Sequence, residues 1–108
     1  MGSEERIKQL ELFYQEDPKD PFVIYALAIE HLDNNKSKSR ELFDLLLQEH
    51  PNYVGTYYHA AALYAELGEN EKAEKIYKEG ISKARDLQDH HALKELQSAY
   101  MNFQFENE

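Results

Sequence analysis

Residues 57–64 read YYHAAALY, and residues 24–31 read IYALAIEH. Superposed, the stretches share one pattern: a large residue, then Leu or Ala three positions on, then Ala, then an aromatic three further along. Tyr57, Ala60, Ala61 and Tyr64 fill it in the later stretch, and Ile24, Leu27, Ala28 and His31 in the earlier one, with His31 in place of the last aromatic. Alanine is the strongest intrinsic helix former but buries little apolar surface, so alanines framed by tyrosines mark a place where a second helix comes close. Pro18 and Pro51 precede the two stretches and lie 33 residues apart, a period that points to a helix-pair repeat.

The rest of the chain fits this frame. Ile7, Leu10, Phe13 and Tyr14 follow helical spacing until EDPKDP at 16–21 interrupts with two prolines, which predicts a leading helix over 4–16. Phe22, Ile24, Tyr25, Leu27, Ala28 and Leu32 mark a second helix. It ends at Asp33-Asn34-Asn35, whose asparagines suit a left-handed turn or a cap for the next helix. Leu42, Phe43, Leu46 and Leu47 mark a third, stopped at Pro51. The fourth ends at Gly68, placed for a left-handed cap. Asn70 is expected to cap a fifth helix carrying Ala73, Ile76, Tyr77, Gly80, Ile81 and Ala84, whose outer side holds the i,i+4 pairs Glu71–Lys75, Glu74–Lys78 and Glu79–Lys83. Asp89 is expected to cap a sixth with Leu93, Leu96, Tyr100 and Phe103 on one side, and the final FENE is expected to fray.

This pattern resembles the tetratricopeptide repeat, roughly W-x2-L-G-x2-Y, A-x3-F and P. In the second copy it falls on Tyr57, Ala60, Ala61, Tyr64, Ala73, Tyr77 and Gly80; in the first, on Ile24, Leu27, Ala28, His31, Ser39, Phe43 and Pro51. The small residues Ala28, Ala61, Ala73 and Gly80 would let paired helices approach. The first copy departs from the pattern in its shorter turn and in Ser39 where alanine is usual; the second ends at Arg85 and leads into the longer connection RDLQDHH. The whole also looks like small stand-alone bacterial proteins of this kind. The expected fold is all-α, a tetratricopeptide-like superhelix in one domain over 1–108: a leading helix at 4–16, repeats at about 21–53 and 54–87, and a capping helix at about 89–105.

The resemblance implies a concave groove lined by the first helix of each pair, which binds peptides or protein surfaces. It places Phe22, Tyr25, Ile29 and Leu32 there from the first repeat, Tyr58, His59, Ala62 and Glu66 from the second, and Lys94, Ser98 and Met101 from the last helix. The alternative for such residues is packing against neighbouring helices. Members that clamp acidic chaperone tails use lysine, asparagine and arginine on these faces, and here only Lys94 qualifies, so the groove suits an apolar or amphipathic segment.

Composition excludes other chemistry. Twenty-one acidic against twelve basic residues give a net charge of −9, which repels phosphate backbones and anionic lipid. No apolar run approaches the about 20 residues of a membrane span, and MGSEERIKQL carries charge where a signal peptide would be apolar. The absence of cysteine removes thiolate chemistry and suits a reducing cytoplasm. His91 and Glu95 stand at i,i+4 with no third ligand in view, so no metal or other cofactor is expected. No nucleophile constellation or phosphate loop is visible, so no enzyme is expected either. The reading is a cytoplasmic, non-catalytic interaction module, monomeric with a homodimer possible. Its rival is a self-associating subunit that uses its terminal helices.

Overall fold

The computed structural model describes residues 3–107. Among them the chain forms six helices and no strand: α1 (Ser3–Glu16), α2 (Pro21–Glu30), α3 (Lys36–Glu49), α4 (Gly55–Glu66), α5 (Asn70–Asp86) and α6 (His90–Glu106). They gather into two compact units, Met1–His50 and Pro51–Glu108.

In the first unit α2 packs against both α1 and α3. Its sequence, PFVIYALAIE, is apolar on every side, as a helix between two others must be. The Asp20 carboxylate accepts from the Phe22 amide at 3.0 Å, and Pro21 sits in the first turn, where its missing N–H costs nothing. Ile24, Leu27 and Ala28 of α2 and Leu42, Phe43 and Leu46 of α3 are all buried. Ser39, the departure from alanine, is fully buried and donates its hydroxyl to the Ala28 carbonyl at 2.6 Å, so the polar atom is satisfied inside the pair. Of the two roles open to the asparagines, capping is realised: the Asn35 side chain accepts from the Lys38 amide at 3.1 Å.

In the second unit α4 packs on both α5 and α6, and α5 on α6. Tyr57, Ala60, Ala61 and Tyr64 are buried together with Ala73, Ile76, Tyr77, Gly80 and Ala84. The close approach lies at Gly80, where a Cβ would stand 2.5 Å from the Tyr57 Cβ. The Tyr57 hydroxyl donates to the Pro51 carbonyl at 2.6 Å, which anchors the ring at both ends. Tyr77 lies 5.8 Å from Tyr100 and 5.5 Å from Phe103 between ring centres, joining α5 to α6 through an aromatic cluster. The Tyr100 hydroxyl donates to the Glu74 carboxylate at 2.9 Å.

Helix ends follow their capping chemistry, with two departures from expectation. Gly68 adopts φ +81° and closes α4 by paired backbone bonds, Glu69 N–H to Tyr64 O and Gly68 N–H to Ala65 O. The same bonds close α5, Asp89 N–H to Ala84 O and Gln88 N–H to Arg85 O, but with Gln88 at φ +58° in the glycine position. Asp89 caps α6 by accepting from the Ala92 amide at 3.0 Å. Asn70 does not cap α5; it is the first helical residue, and its side-chain amide donates to the Asn107 side-chain oxygen Oδ1 at 2.9 Å. Nor does α6 fray at Phe105: it continues to Glu106, held by that contact and by the Asn107 side-chain amide bonding back to the Phe103 carbonyl at 2.8 Å.

Candidate functional site

The first helix of a pair turns one stripe onto its partner and leaves an adjacent stripe uncovered. In α4 the covered stripe is Tyr57, Ala61 and Tyr64, and the residues next to it, Tyr58 and Ala62, are exposed. Helical spacing places Tyr58, Ala62 and Glu66 along one side. With Ala65 they form one wall of an open depression of about 470 Å³. The facing wall comes from α6 as Ala99, Asn102, Phe103 and Glu106, with Tyr77 and Asn107 completing it.

The expected residues therefore separate into groups. Tyr58, Ala62 and Glu66 come together at the depression. His59 lies beside it, half-buried, its ring edge-on to Tyr58 at 5.2 Å. Burial pushes the His59 pKa down, against the opposing charge of Glu95. Lys94 and Ser98 are exposed on α6 and outside the lining. Met101 belongs to a second depression of about 640 Å³, where it meets Asn70, Glu71, Glu74 and Phe105. Of the four α6 residues that line the first depression, Ala99, Asn102 and Glu106 are absent from the sequence reading, and Phe103 enters it only as a packing residue. Their signal was the buried pair Leu96 and Phe103, one heptad apart, which fixes the rotation of α6. In the other unit Phe22 is exposed in the first turn of α2, while Tyr25, Ile29 and Leu32 are half-buried along the helix and its following turn.

The first depression is lined by acidic, aromatic and alanine side chains. Glu66 and Glu106 bring carboxylates to it, Tyr58 a phenol, and Ala62, Ala65 and Ala99 methyl groups, and its buried lining side chains are Tyr77 and Phe103. The Tyr77 pKa is raised first by burial, then by Tyr58 and Glu106. His91 and Glu95 pair at 3.5 Å on an exposed surface, and among the described residues no three His, Cys, Asp or Glu stand together as metal ligands. No helix among them is long and apolar enough to cross a membrane.

Paired helices with a glycine or alanine at each close approach, and an open stripe on the first helix, define a helical-repeat interaction module. The tetratricopeptide repeat family model matches residues 25–98, and the chain belongs to that family. It is similar to a tetratricopeptide repeat domain protein from Salinibacter ruber, solved as a crystal structure at 43% identity, covering 79% of this chain and 96% of that one with a TM-score of 0.76. The solution structure of a Salinibacter ruber tetratricopeptide repeat domain protein matches at 44% identity over 81% of this chain and 89% of that one, also at 0.76. The crystal structure of MamA shares the fold at 16% identity, covering 97% of this chain and 68% of that one, with a TM-score of 0.68. No curated protein matches the chain. Domains of this family are in general non-catalytic modules of protein–protein interaction.

Proposed function

We propose that this protein is a non-catalytic adaptor of the cytoplasm that docks an apolar or amphipathic segment of a protein partner on the first helices of its pairs. The observation that supports this most directly is the α4/α6 depression, because the exposed Tyr58 and the alanines that line it with Tyr58 offer aromatic and aliphatic surface to a partner. In the other unit, Phe22, Tyr25, Ile29 and Leu32 offer a separate candidate surface on α2 and its following turn. The test captures partners from the native host on wild-type protein and on Tyr58→Ala, with thermal melts of both. A partner held by the wild type and lost by an equally stable variant supports the docking reading. Undiminished capture by the variant overturns it.

A second reading, self-association through α6, draws on Met101 and Phe105, 58% and 69% exposed beside the larger depression. Sedimentation of the wild type and of a chain truncated after Asn102 separates the two. A dimer that becomes a folded monomer on truncation favours assembly, and a wild-type monomer favours the adaptor.

A further inference from the structure

Resting on the second of those readings, we propose that the outward face of α6 pairs with the same face of a second copy of the chain, antiparallel, about a twofold axis level with Ala99 and Tyr100. Leu96 and Phe103 turn one side of α6 onto the rest of its unit. At 100° per residue the opposite side carries Lys94, Ser98, Met101 and Phe105, and all four are exposed. Their spacing of four, three and four residues is the spacing of a seam between two helices. The face is also poor in charge. Nine of the seventeen residues of α5 are Asp, Glu, Lys or Arg, against three of the seventeen in α6. Beside the seam stand Gln97, Asn102 and Gln104, together with Glu95, which pairs with His91 at 3.5 Å. Exposed Met and Phe among uncharged polar residues make the composition of a contact surface, not of a solvated one.

The occupant is a second copy because the seam is its own complement. With Ser98 opposite Met101 of the second copy, Lys94 comes opposite Phe105, so that its stem covers the ring and its ammonium lies against the aromatic face. Gln97 then flanks Gln104, and Glu95 flanks Asn102, so no like charges meet. Each contact occurs twice, as a twofold interface requires. Parallel pairing would set Lys94 against Lys94. In a chain of net charge −9, this near-neutral face is one on which two copies approach without local repulsion. A helix of 17 residues is about 25 Å long, and a single pair of that length lies near or below the ~1,200 Å² at which standard interfaces begin, so the dimer is weak, with a dissociation constant on the order of micromolar or above. Ala99 and Glu106, which line the α4/α6 depression, stand about 100° or more round the helix from Phe105, so the seam does not include them.

The test measures sedimentation over a concentration series for the wild type and for Phe105→Asp, with circular dichroism to verify that the variant is folded. The chain has no cysteine, so single introduced cysteines report on the register. Ser98→Cys and His91→Cys are each oxidised at a concentration where the wild type associates. In the antiparallel register the two copies of residue 98 are offset by three rises, about 5 Å along the axis, and the two copies of residue 91 by seventeen, about 25 Å. Both positions are exposed, so His91→Cys also serves as the control for random collision.

The expected result is a reversible wild-type dimer, weakened about tenfold or more by Phe105→Asp as the loss of a central aromatic contact requires, with a disulfide-linked dimer from Ser98→Cys and none from His91→Cys. A dimer that Phe105→Asp leaves intact, that cross-links through both cysteines as a parallel pair would, or that does not cross-link through Ser98→Cys leaves self-association standing and overturns this inference. A wild type that stays monomeric throughout the series overturns both, and leaves the face to solvent or to a different protein.

Discussion

Substituting Gly80 by alanine sets two opposed effects against each other in one helix. Gly80 lies inside α5, where alanine is favoured over glycine by about 1 kcal/mol on helix propensity alone. Against this, the new Cβ would stand 2.5 Å from the Tyr57 Cβ, 2.9 Å from its Cγ and 3.3 Å from the Leu96 Cδ1. The first two are atoms at the root of a buried side chain. Tyr57 is tied through its hydroxyl to Pro51 and is 2% exposed, so relief comes from moving α4 and α5 apart by roughly 1 Å. Overpacking of this kind costs roughly 1–3 kcal/mol, and the rigidity of Tyr57 puts Gly80→Ala toward the top of that range. After the propensity gain the net loss is about 1–2 kcal/mol, which lowers Tm by roughly 5–10 °C in a domain of this size. Urea titration and thermal melting by circular dichroism measure it. A variant as stable as the wild type, or more so, would show that propensity outweighs packing and would refute the close approach.

Three further outcomes are expected. Ala61→Leu forces extra carbons into a fully buried position and should cost roughly 1–3 kcal/mol by thermal melting; an unchanged Tm would remove Ala61 from the helix contact. Gln88→Gly relieves a left-handed residue at the end of α5 and should raise stability by about 0.5–1 kcal/mol in urea titration, with destabilisation counting against the strain. Burial raises the pKa values of Tyr57, Tyr77 and Tyr100, reinforced by Glu79 at Tyr57, by Tyr58 and Glu106 at Tyr77, and by the Glu74 hydrogen bond at Tyr100. Because the folded values lie above the unfolded one of about 10, their contribution to stability is complete below that pH and is lost as pH rises through the folded values. Ultraviolet tyrosinate absorbance recorded with circular dichroism should show late-titrating tyrosines ionising as helix is lost; all eight tyrosines ionising together near the ordinary value with helicity intact would contradict this.

The helices were legible because their boundaries are local chemistry. Proline, Gly68, Asp89 and the alternation of tyrosine with alanine act through the nearest turn of backbone, and each did what its covalent structure dictates. Where a partner from elsewhere in the chain intervened, local reading failed. Asn70 has the composition of a cap, yet the closure at Gly68 hands the capping position to Glu69, and Asn107 takes the asparagine side chain. Gln88 carries no mark of a left-handed residue; the paired bonds closing α5 impose that geometry. Ser39 looked like a flaw in the pair because the Ala28 carbonyl that satisfies it lies eleven residues away. For the candidate site, Tyr58, Ala62 and Glu66 come from the resemblance to the repeat, and the structure has all three line one depression. Lys94 and Ser98 did not join them, because repeat correspondence does not set the rotation of a last helix; Leu96 and Phe103 do.

Most helix contacts in this molecule join immediate neighbours along the chain: α1 with α2, α2 with α3, α4 with α5, α5 with α6. Each such contact closes only a short loop, so little chain entropy is spent before packing begins to repay it, and folding belongs to the microsecond-to-millisecond regime of helical proteins with low contact order. The contact of α4 with α6 spans the whole of α5 and carries the longest closure within its unit. The walls of the candidate depression are α4 and α6, so that surface is completed late in folding and is among the first features lost when α6 detaches.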